Sequence, residues 1–196
     1  YNSIDRKIGY IQSVGYDGVA INTVVSFQKT IEATEAYDFK LTMAYVEINI
    51  DENTIDESIV AVVKRLKGAK TNITPSFYSK SGKLKTRSEA GDLQVQKLLA
   101  ELWKHAKKAK ATIAIYPHYG YYIQNHNHAY EITESFGKSN VGICFNLNHW
   151  LATSSMEERN SMKSDLLEYS SRLKIVTING ANRVISEKEN PMDDYI

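Results

Sequence analysis

Short, continuously apolar segments recur along this chain, and each is separated from the next by a stretch whose apolar residues have helical spacing. Six strands are readable: Gly18 to Asn22, Lys40 to Ile48, Ile73 to Tyr78, Ala111 to Tyr116, Val141 to Phe145 and Lys174 to Ile178. Strands that are apolar on both faces need cover on both, and parallel neighbours need a crossover between them. The alternation therefore predicts a parallel sheet flanked by helices. Pro75 interrupts the third strand, where it removes a ladder donor.

Helices are expected over Ile4 to Val14, closed by Gly15, then over 26–37 and Ile55 to Leu66. Three more are expected over Leu93 to Ala109, Ala129 to Phe136 and Met156 to Tyr169. The strongest pattern is Leu93 to Ala109, with Val95, Leu98, Leu99, Leu102, Trp103 and Ala106 on one stripe and lysines toward its C-terminal end. Residues 79–92 are polar and aperiodic and read as a long loop, and 186–196 as an irregular tail. No composition shift divides the chain, so residues 1–196 read as a single domain.

Composition removes several function classes. With 24 Lys+Arg against 23 Asp+Glu, the chain has no electrostatic footprint for nucleic acid or an anionic membrane. The lone Cys144 excludes an intramolecular disulfide framework or a thiolate metal cluster. No apolar run approaches the roughly 18 residues of a membrane helix, and the N-terminal residues lack the apolar region of a secretory signal. A soluble protein is expected, with the cytoplasm as the favoured compartment. There is no GxGxxG or P-loop pattern, which favours a barrel over a nucleotide-binding open sheet. Eight βα units normally take about 250 residues, so 196 residues with six strands read as an incomplete barrel.

In a (β/α)8 barrel the chemistry lies at the C-terminal strand ends. The fourth strand runs into Tyr116-Pro117-His118-Tyr119-Gly120, the fifth into Asn146-Leu147-Asn148-His149-Trp150, and the sixth into Asn179-Gly180-Ala181-Asn182. His118 and His149 are the candidate catalytic acid and base, because imidazole titrates near neutral pH. Asn146 and Asn179 can donate to and accept from hydroxyls. Tyr116, Tyr119, Tyr121, Tyr122 and Trp150 offer a flat apolar wall for a sugar face or an aromatic ligand. Tyr45 shares a strand face with Glu47, whose charge favours the wet mouth, so Tyr45 is a candidate substrate contact and Glu47 a solvated strand-end charge. Asn125-His126-Asn127-His128 opens a helix with its two rings on different sides, which argues against a metal pair. The basic run from Lys80 to Arg87 reads as a solvated loop rather than a phosphate site.

Gly15 to Val19 after a helix, Tyr116 to Gly120, Asn146 to Trp150 and Ile178 to Ala181 resemble, in order and spacing, segments of the sugar phosphate isomerase/epimerase family, the xylose isomerase-like TIM barrels. The resemblance runs from about residue 5 to residue 182. It implies an α/β fold of the xylose isomerase-like (β/α)8 type. The visible strands would be the second through seventh, with strand one before Tyr1 and strand eight after Ile196. Typical members hold one divalent metal, such as manganese, on two Glu, an Asp and a His at the ends of strands five to eight. The metal polarises a ketose or aldose while the two Glu shuttle a proton.

This chain departs from that ligand set. Tyr116 stands at the strand-five Glu position and Asn146 at the strand-six Asp position, no His accompanies Ile178-Asn179, and the strand-eight Glu has no counterpart. His149 matches the family's substrate-contacting His. The resemblance thus implies a sugar or sugar phosphate isomerase/epimerase-like protein that binds a monosaccharide or derivative at the mouth without the usual metal. The alternative is a non-catalytic carbohydrate-binding or accessory protein on a degenerate barrel. Open sheet edges would invite a homo-oligomer. The DNA-repair endonuclease branch of the fold needs a multi-zinc cluster and a basic face, which the balanced charge and these strand ends do not offer.

Overall fold

The computed structural model describes residues 3–68 and 70–178. Six strands pair in sequence order, every neighbour parallel: β1 (Gly18–Asn22), β2 (Lys40–Asn49), β3 (Asn72–Tyr78), β4 (Thr112–Ile115), β5 (Val141–Asn146) and β6 (Leu173–Thr177). They form a curled half-barrel with helices on its outer face. The helices are α1 (Ile4–Ser13), α2 (Thr23–Ala36), α3 (Glu57–Arg65), α4 (Glu89–Ala109), α5 (His126–Phe136), α6 (Leu147–Thr153) and α7 (Met162–Glu168). Among the described residues no helix is long and apolar enough to cross a membrane.

The two-residue period of the strands sorts side chains between the faces. Ala44, Val46, Ile48, Ile73, Phe77, Ile113, Ile115, Val141 and Ile143 turn outward and join Val62 and Val63 of α3 and Val95, Leu98, Leu99 and Leu102 of α4 in the main core. Each large aliphatic side chain removed from water there is worth about 1.5–3 kcal/mol. The alternate positions, including Tyr45 and Glu47 on β2 and Asn146 at the end of β5, fall on the concave face. Gly142 is required where β5 meets β6, since a Cβ at that position would lie 1.9 Å from the Arg172 carbonyl oxygen.

Pro75 does sit inside β3, paired in register with Val46. The ladder from β3 to β4 registers only at Asn72–Thr112 and Ile73–Ile113, so the missing N–H falls beyond it. The Pro75 carbonyl still accepts from the Tyr116 N–H at 2.8 Å.

Several helix boundaries differ from the sequence expectation: α2 begins at Thr23 rather than at 26, α3 begins at Glu57, capped by Asp56, rather than at Ile55, and three others follow from short polar side chains. α4 begins at Glu89 rather than Leu93, because Ser88 caps it through the Gly91 N–H and Glu89 and Asp92 lie in its first turn. The loop is correspondingly shortened to residues 79–88. α5 begins at His126 rather than Ala129, capped by Asn125, whose Oδ1 accepts from the His128 N–H at 2.9 Å. The expected helix over Met156 to Tyr169 is broken into a 3-10 turn at Glu158–Ser161, then α7, then a second 3-10 turn at Tyr169–Ser171. There Ser161 Oγ donates to the Glu158 carbonyl and Ser164 Oγ to the Ser161 carbonyl, competing locally with α-helical bonding. α6 is a helix that the pattern did not show. The expected tail, 186–196, lies outside the described residues.

Candidate active site at the strand ends

Pro117 ends β4, and the chain then turns through His118-Tyr119-Gly120-Tyr121, closed by the Tyr121 N–H donating to the His118 carbonyl at 3.0 Å. Gly120 occupies φ +80° in this turn, a conformation that glycine adopts without strain. The turn folds Tyr121 back so that its ring stacks on His118, with centroids 4.1 Å apart and planes at 30°. His149 arrives from the other side. Asn146 caps α6 by accepting the His149 N–H on Oδ1 at 2.8 Å, which fixes His149 in the first turn. The His118 and His149 centroids lie 4.2 Å apart at 42°, so His118 is held between Tyr121 and His149.

One residue's backbone decides the chemistry of both rings. Nδ1 of His118 lies 2.8 Å from the Tyr119 carbonyl oxygen, which can only accept, so this nitrogen carries the proton. Nδ1 of His149 accepts from the Tyr119 N–H at 3.2 Å, so this nitrogen is bare. In the neutral pair, Nε2 of His118 is therefore a lone pair and Nε2 of His149 an N–H donor. Neither Nε2 has a hydrogen-bond partner among the described residues. Burial, and secondarily His118, push His149 from 6.5 down to about 4, which keeps it neutral near pH 7.

Tyr116 and Tyr45 complete this wall. Tyr116 meets His149 edge-on at 5.2 Å and Tyr45 edge-on at 5.2 Å. Burial raises the Tyr45 hydroxyl to about 12, with Cys144 adding to the shift, and raises that of Tyr116 further. Both phenols thus remain protonated donors. Trp150 is also near in sequence but is buried, packing on Phe145 at 6.1 Å rather than forming an exposed wall. Asn146 is 2% exposed, and its Nδ2 donates to Thr177 Oγ1 at 2.7 Å while its N–H donates to His126 Nε2 at 3.1 Å. Its side chain braces α6 against β6. Asn179 lies outside the described residues.

Tyr121 of the expected aromatic wall and Glu47, expected as a solvated charge, are joined here, and Tyr78 is a neighbour that the sequence did not point to. Tyr121 Oη donates to Glu47 Oε1 at 2.9 Å, and Tyr78 packs beside Tyr121 at 5.6 Å. Glu47 is exposed yet tied to the ring that covers His118, and its place on the Tyr45 face was the signal available for it. The backbone of Tyr119 has no sequence signal at all.

His126 and His128 make contacts within the fold. His126 is pushed down to about 3, by burial first and then by His149, and it supports the Asn146 amide. Nε2 of His128 lies 2.7 Å from Asp92 Oδ1, which also accepts from Tyr122 Oη at 2.7 Å. Arg87 of the basic loop pairs with Glu131. Among the described residues no three His, Cys, Asp or Glu side chains come together to hold a metal. A protonated phenol at Tyr116 and an internally bonded amide at Asn146 do not fit a divalent cation.

Residues 8–195 match the family model described as xylose isomerase-like TIM barrel. The chain belongs to that family. Solved structures agree at the level of fold. They include 3-keto-D-glucoside 4-epimerase YcjR from E. coli in its apo form, at 18% identity and TM-score 0.70, over 91% of this chain and 74% of that one. D-psicose 3-epimerase with D-tagatose, from Clostridium cellulolyticum H10, superposes at 11% identity and TM-score 0.71 over 97% and 73%. The IolI protein with a zinc atom matches at 18% identity and TM-score 0.68 over 98% and 72%. No curated protein sequence matches the chain. At these identities the xylose isomerase-like barrel shares architecture with its relatives, and the site must carry any statement about chemistry.

Proposed function

We propose that the His118–His149 pair is the acid/base centre of an isomerase or epimerase acting on a monosaccharide or a close derivative. The observation that carries this reading is the opposed pair of tautomers held by Tyr119, a bare Nε2 beside an Nε2–H. A sugar carbonyl polarised by the His149 Nε2–H makes the neighbouring C–H acidic, and the lone pair of His118 takes that proton. A neutral imidazole suits the donor role, because its proton stays in place across the physiological range. Tyr45 and Tyr116 offer hydroxyl donors, and the face shared with Tyr121 offers an apolar wall for a sugar ring. Asn146 acts through His149 as a brace, and Asn179 is kept as a hydroxyl contact. The reaction runs without a divalent metal, since Tyr116 and Asn146 stand where carboxylates would be needed. Sugar substrates are supported by relatives of the same architecture whose names describe sugar epimerases.

The test is a panel of aldoses and ketoses, phosphorylated and free, incubated with chelator-treated protein and scored for conversion. His118→Gln and His149→Gln are each expected to lower kcat by about 10²–10⁴-fold with unchanged circular dichroism. Conversion by the parent that survives both substitutions would overturn the assignment. The missing carboxylates also favour a second reading, a carbohydrate-binding protein. Micromolar sugar binding without conversion by the parent would establish it instead.

A further inference from the structure

We infer that the cavity at the N-terminal end of the sheet, walled by Trp103 and three lysines, binds a multivalent phosphate, free or carried on a small molecule. Thr112 opens β4 and Val141 opens β5, so residues 110–112 and 138–140 lie at the end of the parallel sheet away from His118 and His149. Between these segments and the last turns of α4 is a cavity of about 380 Å³, lined by Trp103, Lys107, Lys110, Thr112, Lys138 and Asn140 among others. Small-molecule sites fall in the range of roughly 300–1,000 Å³.

The indole is a fixed wall. Its Nε1–H donates to Asn140 Oδ1 at 2.9 Å, Asn140 Nδ2 donates in turn to the Ala111 carbonyl at 3.3 Å, and Phe136 meets the ring edge-on at 6.3 Å. Nζ of Lys107 and Nζ of Lys138 stand 5.1 and 5.2 Å from its centroid. The ring draws both cations without neutralising either. Lys110 adds a third from the left-handed position (φ +59°) that closes α4, where α5 has Gly137. Complementing the helix dipole accounts for Lys107 and Lys110. It does not account for Lys138, which comes from the turn before β5.

No carboxylate answers this charge. None lines the cavity, and among the described residues none pairs with the three ammonium groups. Glu134, the acid nearest to Lys138 in sequence, is held by Arg172, and Glu101, nearest to Lys107, accepts the Ile55 N–H. By contrast, the cavity between α2 and α3 carries Glu35 and Asp38 beside its cations. The turn before β5 supplies uncharged donors as well. Its closing bond runs from the Val141 N–H to the Lys138 carbonyl at 3.0 Å. The N–H groups of its two central residues, Ser139 and Asn140, have no protein acceptor among the described residues. Successive turn N–H groups beside ammonium groups make the donor set that suits the several acceptor oxygens of a phosphate.

The test is isothermal titration calorimetry of the full chain with inorganic phosphate, pyrophosphate and glycerol 3-phosphate, at a constant ionic strength of about 0.15 M. Saturable binding of at least one of them is expected with a dissociation constant below about 1 mM, and their order separates a free phosphate from an ester. The double variant Lys107→Gln/Lys138→Gln should bind at least about tenfold more weakly with unchanged circular dichroism. Should it not fold, Lys138→Gln alone, at an exposed turn position, should weaken binding at least about threefold. Absence of saturable binding, affinity that survives the lysine substitutions, or capture of a short DNA duplex without any of the three small phosphates would overturn the inference.

Discussion

The neutrality of His149 can be tested through stability alone. Its folded-state value lies at about 4 against 6.5 for the free group, with burial the larger cause. The unfolded chain therefore binds a proton that the folded chain refuses, and stability falls as pH drops from 6.5 toward 4. Between about pH 7.5 and about pH 4.5 the full shift corresponds to roughly 2.5 kcal/mol, and screening at the open mouth reduces this to about 1–2 kcal/mol. His149→Gln removes the titration, while Gln Oε1 can still accept from the Tyr119 N–H. The assay is urea unfolding of parent and variant at both pH values. The loss of stability on acidification should be smaller in the variant by about 1–2 kcal/mol, the residual slope belonging to other groups such as His126. Equal slopes in parent and variant would refute a depressed His149, and with it the tautomer assignment at Tyr119.

Gly142→Ala would drive a Cβ to 1.9 Å from the Arg172 carbonyl and prise β6 from β5. A loss of about 3 kcal/mol or more is expected, seen as a melting temperature lower by roughly 6–12 °C. Leu99→Ala empties a fully buried position in α4 and should cost about 2–5 kcal/mol in denaturant unfolding. Ser88→Ala removes the α4 cap and should cost about 1 kcal/mol by the same measurement. Tyr121→Phe keeps the ring over His118 but releases Glu47, so turnover in the sugar panel should survive within about tenfold, whereas Tyr121→Ala, which also uncovers His118, should fall further.

Much of the fold was legible because strand and helix periods are local. Gly18–Asn22 appears with the bounds its apolar run predicts, and the Leu98, Leu99 and Leu102 stripe faces the core as its spacing requires. The failures lie where short polar side chains act within a few residues, as at Ser88, Asn125 and the serines of 155–164. Asn146 illustrates the limit within the site. Its strand-end position is readable, but whether its amide faces a ligand or caps a helix depends on Thr177, far along the chain.

The amino-acid order determined a parallel βα array and brought His118 and His149 to adjacent strand ends, because hydrophobic period and chain connectivity are properties of neighbours in sequence. Only the folded chain decided that one ring presents a bare Nε2 and the other an Nε2–H. That division comes from a single backbone amide and carbonyl at Tyr119, reaching two rings 31 positions apart, 149 − 118, and a hydrogen-bonding group carried by every residue leaves no mark in the sequence.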